Sequence, residues 1–401
     1  MAGTTRTFEG THPWLKFTLD LQRAPHTLWM ALGEIRSKCE HIAGVPLDKD
    51  TADRLYRLYL TRGVQATTAI EGNTLSEEEV RQQIEGVLKL PPSTAYQGQE
   101  IDNIVAACNS ILKSLQSDRP SFLTADLVKQ FNRQVLHALP LEANVVPGEI
   151  RKKSVSVGSY RGAPAEDCDF LLGKMCDFIV ASPTQAVELD PISKGVLLAI
   201  WAHLYLAWIH PFGDGNGRTA RLVEFMLLLE GGVPAPAAHI LSNHYNKTRQ
   251  MYYLGLDKAS RSGGDIVPFI SYALAGFVDG LKGQLQDIQK FQHRLIWRDY
   301  AREILRARSN RESAQVRSRR LELVIALADQ GAVPSAKLSL LTTSLARAYA
   351  TKTPKTLSRD VNALKDLDLV EESAEGIRAR VEAISAFLPP KKIPSEPASS
   401  P

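Results

Sequence analysis

Cysteine is scarce: four in 401 residues, Cys39, Cys108, Cys168 and Cys176, with no CxxC pair among them. That excludes a disulfide framework and a thiolate zinc site, and it fits a reducing compartment. No charge of one sign dominates. The net charge is +4 with 23% charged residues, too small an imbalance to imply nucleic acid by itself. Long apolar runs are missing as well. The longest, Gly195 to Ile209, contains His203, is short for a membrane span and reads as a buried core helix. The N-terminus "MAGTTRTFEGTHPW" lacks the basic-then-apolar pattern of an export signal. No internal repeat is present. The expectation is a cytoplasmic protein of two or three domains with a sizeable core and no membrane partner.

Strand-like alternation is also rare, and helical periodicity fills most of the chain. "ADRLYRLYLTRGVQATTAIEG" reads as a helix ending at Gly72. "SEEEVRQQIEGVLKL" follows, with Ser76 and Glu79 spaced as a capping box, and the "PPS" at 91–93 breaks it. Residues 94–115 and 122–138 read as two further helices. Around 154–160, Val155 and Val157 alternate with Ser154 and Ser156 between glycines, the pattern of a short hairpin. Asp190-Pro191 opens the apolar helix, and Gly231-Gly232 stops the helix after it. A long amphipathic stretch spans about 265–310. The module at 313–385 has helix signals at 316–330, 335–347 and 354–367, then a strand–turn–strand, "LVEESAEGIRARV". The tail 386–401 is rich in proline and serine and reads as disordered.

Directly after the apolar helix stands "HPFGDGNGRTAR", residues 210–221. If a helix starts just after Gly217, Arg218 and Arg221 occupy its first turn, where cations oppose the dipole and cost about 0.3–1 kcal/mol each. A bound anion reverses that sign. Gly215-Asn216-Gly217 lets successive backbone N–H groups converge on one point, a nest suited to polyphosphate. Asp214 is a lone carboxylate beside it, the usual way Mg²⁺ is held against phosphates. His210, with an ordinary pKa near neutrality, is a ready general base. Taken singly these are a helix cap, a turn and two solvated arginines. Together they describe attack by a hydroxyl on a nucleotide phosphate.

The run resembles the Fic-family pattern HPFx[D/E]GNGRxxR at every fixed position, and "THPW", "RKKSVSVGSY" and "KTRQMYYLGL" are similar to family segments too. The resemblance covers about residues 1–290. It implies a mainly α fold, a helical core with a β-hairpin flap, and transfer of AMP from ATP to a Ser, Thr or Tyr hydroxyl of a target protein, with release of pyrophosphate. His210 would be the base and Asp214 the Mg²⁺ carboxylate. Gly215, Asn216 and Gly217 would cradle phosphates, and Arg218 and Arg221 would hold the triphosphate. Thr219 and Ala220, inside the same run, count with the nucleotide-contacting residues. The flap at 154–160, Val157 and Gly158 included, would pair with an extended target segment. Tyr252 and Tyr253 would line the adenine pocket. Gly217 stands where the phosphotransferase branch has lysine, which favours AMP transfer.

"TTAIEG" at 67–72 carries a second anomaly. Thr67 and Glu71 lie one turn apart, Gly72 ends the helix, and Glu71 sits in the last turn, where the dipole disfavours an anion. The sharper reading is that Glu71 faces a fixed cation. The segment resembles the family's inhibitory motif [S/T]xxxE[G/N], which implies that Glu71 pairs with Arg221 and blocks productive ATP placement. The protein would then be its own first target by auto-modification once Glu71 is removed. Removal of AMP, a different nucleotide such as UTP, and a homodimer that gates Glu71 stay open.

Residues 313–385 resemble a winged helix-turn-helix, with 291–312 as a connecting helix, 116–290 as catalytic core and 1–115 as an N-terminal helical region. Lys352, Lys355 and Arg359, with Arg378 and Arg380 in the wing, suit DNA. Asp360, Asp366, Asp368, Glu371, Glu372 and Glu375 count against it, so protein contact is preferred and a DNA-binding regulator is the alternative.

Overall fold

A computed structural model gives the fold. It describes residues 6–22, 24–116, 123–157, 160–181, 189–308 and 312–384. The chain divides into two compact units, 1–285 and 286–401, with the boundary inside one helix.

The first unit is helical. Its elements are α1 (Thr7–Thr11), α2 (His26–Gly44), α3 (Lys49–Ala69), α4 (Glu77–Ile84), α5 (Ala95–Leu115) and α6 (Ala125–Val135). After these come the antiparallel pair β1 (Ser156–Val157) and β2 (Tyr160–Arg161), then α7 (Cys168–Ala181), α8 (Pro191–Ile209), α9 (Asn216–Glu230), α10 (Ile240–Lys247), α11 (Arg249–Arg261) and the start of α12 (Val267–Arg308). The hairpin register pairs Ser156 with Arg161 and Val157 with Tyr160. Local signals worked as written. The Ser76 side chain accepts from Glu79 N–H while the Glu79 carboxylate accepts from Ser76 N–H, and Asp190 accepts from Ser193 N–H ahead of Pro191.

The central element is α8. It is apolar all round and long enough by composition to cross a membrane, yet most of it is buried inside this unit. Trp201 stacks on Tyr205 and Phe178, and α8 packs chiefly on α9. A helix buried on every face needs no amphipathic stripe. One continuous core runs from Phe8 to Leu281. The N-terminal helical region and the segment after 115 contribute to one core: Ile101, Ile104 and Ala107 of α5 share it with Val128 of α6 and Val223 of α9.

The second unit contains α13 (Ala314–Gln330), α14 (Thr343–Ala350), α15 (Pro354–Asp366) and the antiparallel pair β3 (Val370–Ser373) and β4 (Gly376–Ala379). Trp297, Ala301 and Leu305 of α12, in the segment expected as a connecting helix, belong to this unit's core. The helix expected over 335–347 is corrected. Ser335–Leu340 is a 3₁₀ turn, and α14 starts where the Thr342 hydroxyl accepts from Leu345 N–H, an N-cap that divides the stretch. The disordered tail proposed for 386–401 lies outside the described residues.

Candidate active site

The apolar helix ends at His210, the C-cap of α8, with φ +51° and ψ 57°. Pro211 disfavours another helical residue before it, and the left-handed turn costs a non-glycine residue about 1–2 kcal/mol. Arg151 holds the turn in place. Its Nε donates to the His210 carbonyl (2.7 Å), Nη1 to the Lys153 carbonyl (2.7 Å) and Nη2 to the Ala163 carbonyl. Three carbonyls from the motif and both sides of the hairpin thus meet one guanidinium. The Arg151 N–H also donates to Pro211 O, beside an antiparallel bridge between Ile150 and Phe212.

The loop from 212 to 216 closes on itself. Asn216 Oδ1 accepts from Phe212 N–H and Asn216 Nδ2 donates to Phe212 O, each at 2.9 Å. Gly215 is left-handed (φ +75°), and α9 begins at Asn216, earlier than the start expected after Gly217. Asn216 acts through this clasp as well as its position in the nest. Asn132, fully buried on α6, donates to the Asp214 carbonyl (2.9 Å) and accepts from Gly148 N–H (2.9 Å), supporting the loop from below. Burial pushes the His210 imidazole down to about 4, and the Arg151 guanidinium adds to that. His210 is therefore neutral near pH 7, as a base requires.

Both arginines of α9 are buried, and each meets a carboxylate from another helix or its terminus. Arg221 Nη2 lies 2.6 Å from Glu71 Oε1 and 2.9 Å from the Thr67 carbonyl. Burial opposes ionisation of Glu71, but Arg221, with Arg218 and His210 adding, outweighs it and holds the carboxyl below its ordinary range. Thr67 contributes its main chain to this contact. Glu71 itself is not in the last helical turn as expected. α3 ends at Ala69, Ile70 is the C-cap, and Glu71 lies in the turn beyond, before Gly72 at φ +105°. The anion is still at the negative end of the helix. Arg249 of α11 caps that end by donating to the Ala69 (3.4 Å) and Ile70 carbonyls.

Arg218 pairs with Glu100 of α5 (Nη1 to Oε1, 2.7 Å) and with Asp214 (Nη2 to Oδ1, 3.3 Å). Arg151, Asn132, Glu100 and Arg249 were all missed in the sequence. Arg151 and Arg249 lie within "RKKSVSVGSY" and "KTRQMYYLGL", segments noted for their resemblance but given no role, and Asn132 and Glu100 lie in no motif; each meets the site from far along the chain.

A cavity of about 550 Å³ opens over these groups, lined among others by Glu71, His210, Asp214, Gly217, Tyr252 and Tyr253. Tyr252 is buried with its hydroxyl 2.9 Å from His203 Nε2, while Tyr253 is 40% exposed. Thr219 and Ala220 do not join the lining. Their side chains fall on the buried side of α9, and the Thr219 hydroxyl meets Asn132 Nδ2 at 3.3 Å. Val157 is in β1, and Gly158 lies outside the described residues.

Among the described residues no group of three or more His, Cys, Asp or Glu forms a metal cage. Mg²⁺ needs none when it binds through one carboxylate, waters and substrate phosphates. Asp214 suits that mode: its side chain is 48% exposed in the cavity lining, and the contacts to Gly215 N–H and Arg218 both fall on Oδ1, leaving Oδ2 for another partner.

Residues 122–228 match the Fic/DOC family, and the chain carries a Fic domain. It is 31% identical over 240 residues to protein adenylyltransferase fic-1 of Caenorhabditis briggsae, covering 60% of this chain and 43% of that protein. It is 27% identical over 241 residues to protein adenylyltransferase Fic of Nematostella vectensis, covering 60% and 52%. The chain thus spans about half the length of these relatives or less. A solved fragment of Fic-1 from Caenorhabditis elegans is similar with TM-score 0.53 and 26% identity, over 66% of this chain and 73% of that one. A Fic family protein from Desulfovibrio desulfuricans shares the fold with TM-score 0.51 and 20% identity, over 86% and 91%.

Proposed function

We propose that this protein transfers AMP from ATP to a hydroxyl side chain of a target protein, and that Glu71 holds it in a self-inhibited state. The observation that carries this reading is the 2.6 Å pair between buried Arg221 and Glu71, which lines the same cavity as His210 and Asp214. In the reaction, neutral His210 takes the proton of the target hydroxyl. The oxygen bonds to the α-phosphorus, the bond to the bridging oxygen of the β-phosphate breaks, and pyrophosphate leaves. The N-terminal N–H groups of α9 and Arg221 neutralise the triphosphate, which requires Glu71 to withdraw. Asp214 would hold Mg²⁺, which supplies charge neutralisation between neighbouring phosphates. The flap at 154–160 receives the target as an added strand. The four buried thiols fit a cytoplasmic setting.

The test is auto-modification with α-labelled ATP and Mg²⁺. Wild type should label weakly, Glu71→Gly strongly, and Glu71→Gly/His210→Ala not at all. Equal labelling of the first two would reject the inhibitory role. Competition by unlabelled UTP over ATP would replace the nucleotide.

One observation supports the alternative of DNA binding. Asp360, counted above against it, is buried and bonded to Arg319 (2.7 Å), Arg320 (2.9 Å) and Tyr349 (3.0 Å), so it does not oppose the exposed Lys352, Lys355 and Arg359. The wing gives less than expected: Arg378 pairs with Glu371 and Glu382, and Arg380 with Asp368 and Glu371. Three phosphate contacts would give a log–log salt slope of roughly −3 for duplex binding by the full chain. Salt-insensitive or absent binding would reject this reading.

A further inference from the structure

Glu100 stands at a junction that the proposed reaction does not otherwise use. It lies on α5 with its side chain 13% exposed. One carboxylate oxygen, Oε1, accepts from Arg218 Nη1 at 2.7 Å, and the other, Oε2, accepts from Asn73 Nδ2 at 2.9 Å. Arg218 reaches Asp214 with its remaining terminal nitrogen. Asn73 lies two residues beyond Glu71. It is buried, donates from its backbone to the Thr68 carbonyl (3.2 Å) and accepts at Oδ1 from Leu75 N–H (3.0 Å). The next turn of α5 grips the same segment: Asn73 Nδ2 also donates to the Gln97 carbonyl (3.0 Å), and Gln97 Oε1 accepts from Thr74 N–H (3.2 Å).

Two consequences follow from one side chain. A guanidinium as buried as Arg218 needs an anion close by. If Asp214 were that only anion, its carboxylate would be locked into the pair and lost to a cation on the cavity side. Glu100 supplies the charge instead, so Arg218 orients Asp214 without consuming it. Through Asn73 the same carboxylate fixes the turn that carries Glu71, and so sets how far Glu71 reaches towards Arg221.

We propose that Glu100 is a positioning residue that couples the Glu71 turn to the Asp214 loop. The inference rests on the AMP-transfer reading for its purpose, but its geometry is testable without turnover. The experiment measures ATP binding by calorimetry across a Mg²⁺ titration, in full-length Glu71→Gly and in Glu71→Gly/Glu100→Gln. Glutamine keeps the shape and removes the charge, so Arg218 turns wholly to Asp214. The Mg²⁺ concentration that half-saturates the ATP-affinity gain should rise roughly tenfold or more, as for partners behind metal ligands. Glu100→Asp in the same background should restore much of it. In the otherwise wild-type chain, Asn73→Ala should speed amide exchange over 67–75 and raise auto-modification, with the Mg²⁺ midpoint unchanged.

An unaltered Mg²⁺ midpoint in a folded Glu100→Gln variant would overturn the coupling, as would an Asn73→Ala variant whose amide exchange matches wild type. Should Glu100→Gln fail to fold, Glu100→Ala in the same Glu71→Gly background takes its place in the Mg²⁺ titration, with the same rise expected, and Asn73→Ala still decides the turn. If Glu71→Gly never transfers label, the AMP-transfer reading falls, while the Mg²⁺ titration and amide exchange still decide the role of Glu100.

Discussion

The carboxylate of Glu71 occupies the space where a side chain on Gly217 would begin: a Cβ there would lie 2.1 Å from Glu71 Oε1 and 3.0 Å from its Cδ. The missing side chain on α9 is what admits the Glu71 carboxylate. Gly217→Ala should therefore lower the thermal stability of the wild-type chain, because it drives Glu71 from buried Arg221. In Glu71→Gly the nearest remaining atom is Arg221 Nη1 at 3.1 Å, the far end of a long side chain that can shift by a few tenths of an ångström, so the same substitution should be neutral or stabilise by up to about 1 kcal/mol through helix propensity. A double-mutant cycle of unfolding midpoints measures this. Equal effects in both backgrounds would show that the two residues do not compete.

The pH dependence of transfer should lack an inflection at the ordinary imidazole value of 6.5, since His210 is already deprotonated down to about 4. Glu71 raises that value, so the Glu71→Gly variant should show an acid limb no higher. Single-turnover rates against pH decide the point, and a limb centred near 6.5 would mean that His210 is far more solvated than its surroundings here allow.

Glu224, one turn beyond Arg221 on α9, is fully enclosed and accepts from the Tyr245 hydroxyl at 2.9 Å. Burial pushes its carboxyl up to about 8 from an ordinary 4.5. The unfolded chain ionises first as pH rises, so the folded state holds the extra proton between those values. The stabilisation is present below 4.5 and is lost as pH climbs through about 8. Glu224→Gln should remove that loss. Melting temperatures of the two proteins should converge in acid and separate towards mild alkali, in favour of the variant. Parallel curves would place the proton elsewhere.

In the second unit, Asp360→Ala leaves Arg319 and Arg320 without their shared buried anion. Loss of about 3–5 kcal/mol is expected in that unit. Label transfer by Glu71→Gly should persist in the combined variant. Limited proteolysis of 312–384 alongside the labelling assay would report both, and resistance equal to wild type would show that the pair is dispensable.

The sequence was informative where a feature is local. Ser76 with Glu79, Asp190 with Pro191, and the dense run 210–221 each carry their own signal within a few residues. The anomaly at Glu71 was legible because its neighbour Gly72 marks a helix end, although the helix stops a little earlier. What stayed hidden depends on contact between distant segments. Arg151 reaches His210 and Glu100 reaches Arg218 only after helices pack, and neither "GEIRKK" nor "GQEIDN" is unusual as local text. Asp360 misled for the same reason: on the sequence it is one more acid on a basic helix, and only packing shows that it faces inward.

Among the described residues, the Arg151 guanidinium hydrogen-bonds to main-chain oxygens: those of Lys153, Ala163 and His210. Every amino acid offers such an oxygen, so the grip does not depend on which side chains the hairpin displays. The hairpin can drift in sequence while the His210 turn stays held. Gly162 is the fixed point, since a Cβ there would come within 3.0 Å of both Arg151 Nη2 and His210 Cβ. A library randomised between Arg151 and Tyr160, with those two and Gly162 held constant, would therefore vary the surface proposed to receive the target while leaving the His210 turn in place.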